Sequence, residues 1–143
     1  VTERRARRKP GENRALLLQA GLNEFGLYGY HGTSTARIAA RAGVPQPHVY
    51  ANFSGKPELF FACLDGACEL LSSAPSDTDS REAAALLVYQ AIATANDPDH
   101  GPKIREQLDA AGYLEGEYRD RVLLSAAAQL TRGALVAPAR VLG

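Results

Sequence analysis

Two cysteines, three histidines and no long apolar run are all that this 143-residue sequence offers for disulfide, metal, active-site or membrane chemistry. Cys63 and Cys68 are five residues apart, so on a helix they face different sides. With no Cys/His cluster nearby they read as reduced apolar fillers of a cytoplasmic protein. No stretch approaches the roughly 20 apolar residues of a membrane helix. The basic first residues lead into no hydrophobic signal core, so neither a membrane partner nor secretion is expected. His31, His48 and His100 are scattered. They form no Ser/His/acid or Cys/His arrangement, and the carboxylates follow no metal-ligand spacing. No enzyme, no metal and no cofactor is therefore expected.

Net charge is also absent, but only in the sum. Residues 1–56 hold nine Lys or Arg against three Glu, a net of +6, and residues 57–143 hold the compensating −6. A polyanion would be attracted to the first segment and repelled by the second. Hydrophobic residues make up 45% of the chain, enough for a core, and the mean hydropathy of −0.21 is ordinary for a soluble protein. The length suits a small head fused to a modest helical body.

The periodicity is helical throughout, and the fold expected is all-α. Residues 1–12 read as a flexible basic arm, in which Arg4, Arg5, Arg7, Arg8 and Lys9 precede Pro10 and Gly11. A first helix is expected from about Arg14, capped by Asn13, to Tyr28. Leu17, Gly21, Phe25 and Tyr28 share one face, and Glu24 lies at the edge of that stripe reaching solvent. Thr33 or Ser34 caps a short second helix that buries Ile38, Ala39 and Ala42. Gly43 allows a tight or left-handed turn, and Val44 fills the corner. Pro45 opens a brief third helix through Asn52, with Val49 and Phe53 beneath it. A fourth helix follows over 56–71, a fifth over 81–95, a sixth over 103–111 and a seventh over 114–136.

Two short helices joined at a glycine and held against a longer one place the second of the pair outward. There it is slim enough for the roughly 12 Å major groove of DNA. Its exposed residues would be Gln46, His48 and Tyr50. The Gln46 amide can match adenine, His48 can donate or accept at a base edge or phosphate, and Tyr50 suits a phosphate. Thr33, Ser34, Arg37 and Lys56 would stand around the groove wall, with Arg41 one turn beyond Arg37. Unaided by any family pattern, Arg37 and Arg41 read equally as the solvated side of a helix.

These residues resemble the tetracycline-repressor (TetR) family of transcriptional regulators. The pattern is carried by Gly29-Tyr30-x-x-Thr33-Ser34, Ile38-Ala39-x-x-Ala42-Gly43-Val44, Val49-Tyr50-x-x-Phe53 and Lys56-x-x-Leu59, kept in register over some 45 residues. The resemblance implies a three-helix head over 13–56 and a helical ligand-binding and dimerisation domain over 57–143, which is shorter than most such bodies and either reduced or incomplete. It also implies a homodimer on palindromic double-stranded operator DNA, and repression relieved by a small-molecule effector. Carried onto this chain, Pro45 stands where a helix-starting residue is usual, Gln46 and His48 occupy variable recognition positions, Tyr50 and Lys56 match phosphate-holding residues, and Asn52 replaces an aromatic or His. Gly21 and Glu24 stand where Ala and Leu are usual. Phe60, Phe61, Tyr89, Tyr113 and Tyr118 are the candidates to line an effector cavity, though aromatics in small helical bodies are more often plain core. The alternative is a small-molecule-binding or protein-interaction module without an operator.

Overall fold

The computed structural model describes residues 7–73 and 78–114. Among them six helices follow one another with no strand: α1 Glu12–Tyr28, α2 Thr35–Ala42, α3 Pro47–Asn52, α4 Lys56–Ser72, α5 Thr78–Ala93 and α6 Gly101–Ala110. The expected seventh helix, and with it Tyr118, lies outside the described residues. No helix among those described is long and apolar enough to cross a membrane.

The first helix starts earlier than expected. Gly11 takes a left-handed conformation (φ 83°), and Glu12 closes the entry, its carboxylate accepting the Lys9 N–H at 2.9 Å. Asn13 is thus inside the first turn and caps nothing. Gly29 ends the helix at φ 76°, its N–H returning to the Phe25 carbonyl. Between them, Ala20, Gly21, Leu22, Glu24, Phe25 and Gly26 are all buried, because α1 has neighbours on nearly every side. Two expectations fail here. Glu24 is 4% exposed instead of reaching solvent, and Tyr28, placed on the inward face by periodicity, is 46% exposed.

Ser34, in an extended conformation, caps α2 by accepting the Arg37 N–H at 3.1 Å. Gly43 ends α2 in the left-handed region (φ 65°), and Val44 is buried in the corner, as the sequence suggests. Pro45 does not open α3. The helix begins two residues later at Pro47, after a tight turn in which the His48 and Val49 N–H groups reach only three residues back, to Pro45 and Gln46. The fifth helix begins at Thr78 and the sixth at Gly101, each somewhat ahead of its expected start.

One hydrophobic cluster runs from Leu17 to Tyr113 and crosses the expected division at residue 56. At its centre Phe60 of α4 meets Phe25 edge-on at 5.1 Å, Tyr30 at 5.2 Å and Phe61 at 5.6 Å. Two glycines let the helices approach. A Cβ on Gly21 would lie 2.6 Å from the Cys63 sulfur, and one on Gly26 would lie 3.2 Å from the Ala83 carbonyl of α5. Gln90 of α5 also donates to the Gly26 carbonyl at 3.2 Å. Both cysteines are free and buried, and burial pushes the Cys63 thiol up to about 12 and that of Cys68 to about 11.

Gly21 and Gly66 should respond to alanine in opposite ways. Gly66 is exposed within α4 with open space around its missing Cβ. Gly66→Ala should stabilise by about 0.5–1 kcal/mol in urea unfolding through the helical preference of alanine alone. Gly21→Ala should cost about 1–3 kcal/mol by overpacking, and most of that cost should vanish in Gly21→Ala/Cys63→Ala. Additive losses in the double variant would rule out the Gly21–Cys63 contact as the cause.

Candidate nucleic-acid interface

The outer surface of α3 carries the side chains singled out from the sequence. Gln46, His48 and Tyr50 are exposed while Val49 and Phe53 are buried beneath them, because a six-residue helix turns only one side to the core. Two clefts flank this surface. One, of about 540 Å³, is lined by His31, Gly32, Thr33, Ser34, Thr35, Arg37, Tyr50 and Lys56. The other, of about 520 Å³, is lined by Arg7, Arg8, Lys9, Pro10, Gly11, Asn13 and Asn52.

In the first cleft, Thr35 holds the site together. Its hydroxyl lies 3.1 Å from the Tyr50 hydroxyl and accepts the Gln46 amide N–H at 3.3 Å, joining the start of α2 to α3. The Gln46 side-chain oxygen has no such partner, while its backbone carbonyl accepts the Val49 N–H. Thr33, expected at the groove wall, instead turns its hydroxyl inward toward the Gly29 carbonyl at 2.8 Å and the Glu24 carbonyl at 3.1 Å, and is only 2% exposed. Its side chain closes the exit of α1. Lys56 stands with Nζ 4.4 Å from the Tyr30 ring centre, and partial burial lowers its pKa from the ordinary lysine value.

Arg37 and Arg41 extend toward Glu24. Arg41 Nη1 donates to Glu24 Oε1 at 2.6 Å, and Arg37 Nε lies 2.7 Å from Oε2. Oε2 nevertheless accepts no well-directed hydrogen bond, so Arg37 contributes charge there more than geometry. The Arg37 guanidinium also covers the Tyr28 ring at 3.9 Å, which accounts for that tyrosine at the surface. Both arginines remain about half exposed.

In the second cleft the arm and the first turn of α1 grip α3. Arg14 donates to the Asn52 carbonyl at 3.0 Å and lies over the Phe53 ring at 4.4 Å. Asn52 donates to the His48 carbonyl at 2.7 Å. Arg8 donates to Asn13 Oδ1 at 3.1 Å and to the Gly43 carbonyl at 3.3 Å, while Asn13 Nδ2 meets His48 Nδ1 at 3.0 Å. Asn13, Arg14 and Thr35 are the residues that sequence reasoning missed, whereas Arg8 belongs to the basic arm it singled out. Thr35 could have been found from its place in the first turn after the Ser34 cap. Asn13 and His48 are 35 positions apart and carry no shared signal.

Behind the site, a loop of the body reaches the head. His31 Nε2 lies 2.8 Å from Asp97 Oδ2, and His100 packs on Tyr30 at 4.7 Å between ring centres. Of the effector candidates, Phe60 and Phe61 are core residues among other rings, Tyr113 is buried and Tyr89 is half-buried. Lys103 covers the Phe61 ring at 4.4 Å. Among the described residues, no three His, Cys, Asp or Glu side chains gather as a metal site.

A short helix exposed between two basic clefts, and crossed behind by a second helix capped at Ser34, is a helix-turn-helix head. Residues 17–63 match the family model described as bacterial regulatory proteins, tetR family. The chain is 45% identical over 62 residues to the HTH-type transcriptional activator FasR of Mycolicibacterium smegmatis, a match spanning 43% of this chain and 28% of that protein. It is 39% identical over 49 residues to the uncharacterized HTH-type transcriptional regulator YdgC of Bacillus subtilis, covering 34% and 25%. It is 35% identical over 78 residues to the HTH-type transcriptional repressor SCO4008 of Streptomyces coelicolor, covering 54% and 41%. Less than half of each relative's length is therefore spanned.

The fold also matches a solved candidate TetR-family regulator of Mesorhizobium loti MAFF303099, with a TM-score of 0.51 over 90% of this chain and 72% of that one at 22% identity. A solved candidate transcriptional regulator of Pseudomonas aeruginosa PAO1 gives 0.50 over 96% and 86% at 17% identity. These two likenesses establish the common all-helical fold.

The Asp97 carboxyl is held below the usual aspartate range, chiefly by the His100 backbone N–H and then by the His31 ring. A folded value below the unfolded one gives stability that is present above about pH 4 and lost as pH falls through the lowered folded value. Asp97→Asn should therefore flatten the acid limb of thermal stability. An acid limb unchanged in this variant would assign the pH dependence to other carboxylates.

Proposed function

We propose that this chain is a sequence-specific DNA-binding transcriptional regulator. It acts in the cytoplasm as a homodimer that sets two α3 helices into successive major grooves of a palindromic operator, about 34–36 Å apart or somewhat more. The observation that carries the reading is the exposure of Gln46 at the start of α3 and of His48 and Tyr50 on it, with a basic cleft on either side. The phosphate strands of a duplex border its major groove in the same relation, so the clefts would fix position while Gln46 and His48 meet base edges. Tyr50, Ser34 and Lys56 would hold one strand and Arg7, Arg8 and Lys9 the other. Pro45, Arg37 and Asn52 would frame α3.

The mode of control proposed is repression, relieved when a small molecule in the body shifts the heads away from operator spacing. The packing of α5 against α1 at Gly26, and of His31 against Asp97, supplies a contact through which such a shift could travel. A ligand would have to favour one head spacing over another to act in this way.

Selection of duplexes from a random library, followed by salt-dependent affinity measurements, tests the DNA reading. A palindromic preference and steeply weaker binding at higher salt are expected; affinity indifferent to both salt and sequence would overturn it. Gln46→Ala should alter base preference with folding preserved, whereas Lys56→Ala should weaken related sites equally and reduce the salt slope by about one phosphate. Glu24→Leu should leave stability within about 1–2 kcal/mol of the parent, since a buried ion pair contributes little over good apolar packing. The freed Arg37 and Arg41 should then steepen the slope by up to about 0.9 for each new phosphate contact. A flat slope together with a large stability loss would show the pair to be a strut of the head.

A further inference from the structure

Arg8, Asn13 and His48 form a chain of polar groups from the basic arm, through the first turn of α1, to the exposed helix. A guanidinium has donors and no acceptor, so the Asn13 atom 3.1 Å from Arg8 is the amide oxygen. The NH2 group of the same amide is then the one 3.0 Å from His48 Nδ1. An NH2 group can only donate here. Nδ1 must accept, and a neutral imidazole that accepts at Nδ1 carries its proton on Nε2. The second bond of Arg8, to the Gly43 carbonyl at the end of α2, keeps the guanidinium from swinging away and releasing the amide.

We infer that Asn13, oriented by Arg8, is a specificity-positioning residue that fixes His48 as an Nε2–H donor. This rests on the DNA-binding reading above and deepens it. In the major groove a lone donor is matched by guanine O6 or N7, by thymine O4 and by adenine N7, whereas cytosine presents only its amino donor. His48 should thus disfavour cytosine at the base it faces. Its neighbour Gln46, with one N–H engaged by Thr35, keeps its second N–H and its side-chain oxygen, a donor and acceptor pair that suits adenine.

The test has two arms. In the first, long-range 1H–15N spectra of the free, histidine-labelled protein report which ring nitrogen is protonated. Parent protein above the imidazole titration should show Nδ1 bare and Nε2 protonated. Asn13→Asp places an acceptor at the same position, and under the same conditions the pattern should reverse. A parent ring protonated on Nδ1, or a tautomer unmoved in Asn13→Asp, would overturn the inference whether or not DNA is bound. In the second arm, library selection at that pH should show Asn13→Asp moving the preference at one position per half-site away from guanine or thymine and toward cytosine by about tenfold. A reversed tautomer with unchanged base preference would remove the specificity role. Loss of all sequence preference in the parent protein, with the tautomer as inferred, would instead overturn the DNA-binding reading.

Discussion

Everything in this fold depends on α1 being enclosed. A single helix of 17 residues supports α2 and α3 on one side and meets α4 and α5 on the other, so its middle from Ala20 to Gly26 is buried except at Asn23. A helix in that position cannot keep a simple apolar stripe. It needs small residues where two neighbours come close, and Gly21 and Gly26 provide them. It must also accommodate any polar group that falls inside, and Glu24 is accommodated by drawing two arginines across from α2.

Enclosure explains which parts of the chain were legible. The head was readable because its elements are local: the Ser34 cap, the Gly43 turn, Val44 in the corner and Val49 beneath α3 all follow from neighbouring residues. Periodicity failed on α1, where Glu24 and Tyr28 exchange their expected environments because Arg37 and Arg41 approach from another helix. It also failed at Pro45, where two prolines in three residues delay the helix to Pro47. The contacts that arrange the candidate interface are long-range. No pattern in a single sequence joins Asn13 to His48, or Arg14 to the Asn52 carbonyl, and the inward turn of Thr33 in place of Ser34 depends on carbonyls at the end of α1.

The charge separation between the two parts of the chain acquires a structural meaning in this light. Arg7, Arg8, Lys9, Arg37 and Lys56 of the head line the two clefts beside α3, while the acidic Glu24 is buried. The junction with the body is mixed, pairing His31 with Asp97 and placing Lys56 against an aromatic ring. Head and body thus share an apolar core but present surfaces of different sign, which orients the molecule in the field of a polyanion before any contact is made.

The grip of Arg8 on Gly43 and Asn13 bears on the thermodynamics of association. A tail that is free until it meets its partner gives up backbone and side-chain entropy at that moment, about 1–2 kcal/mol for each backbone position fixed. Here Arg8 is already anchored at two points and Lys9 donates its N–H to Glu12. That part of the ordering cost is met during folding, so the cations beside α3 are preorganised, and a larger share of their attraction to phosphate is available as affinity.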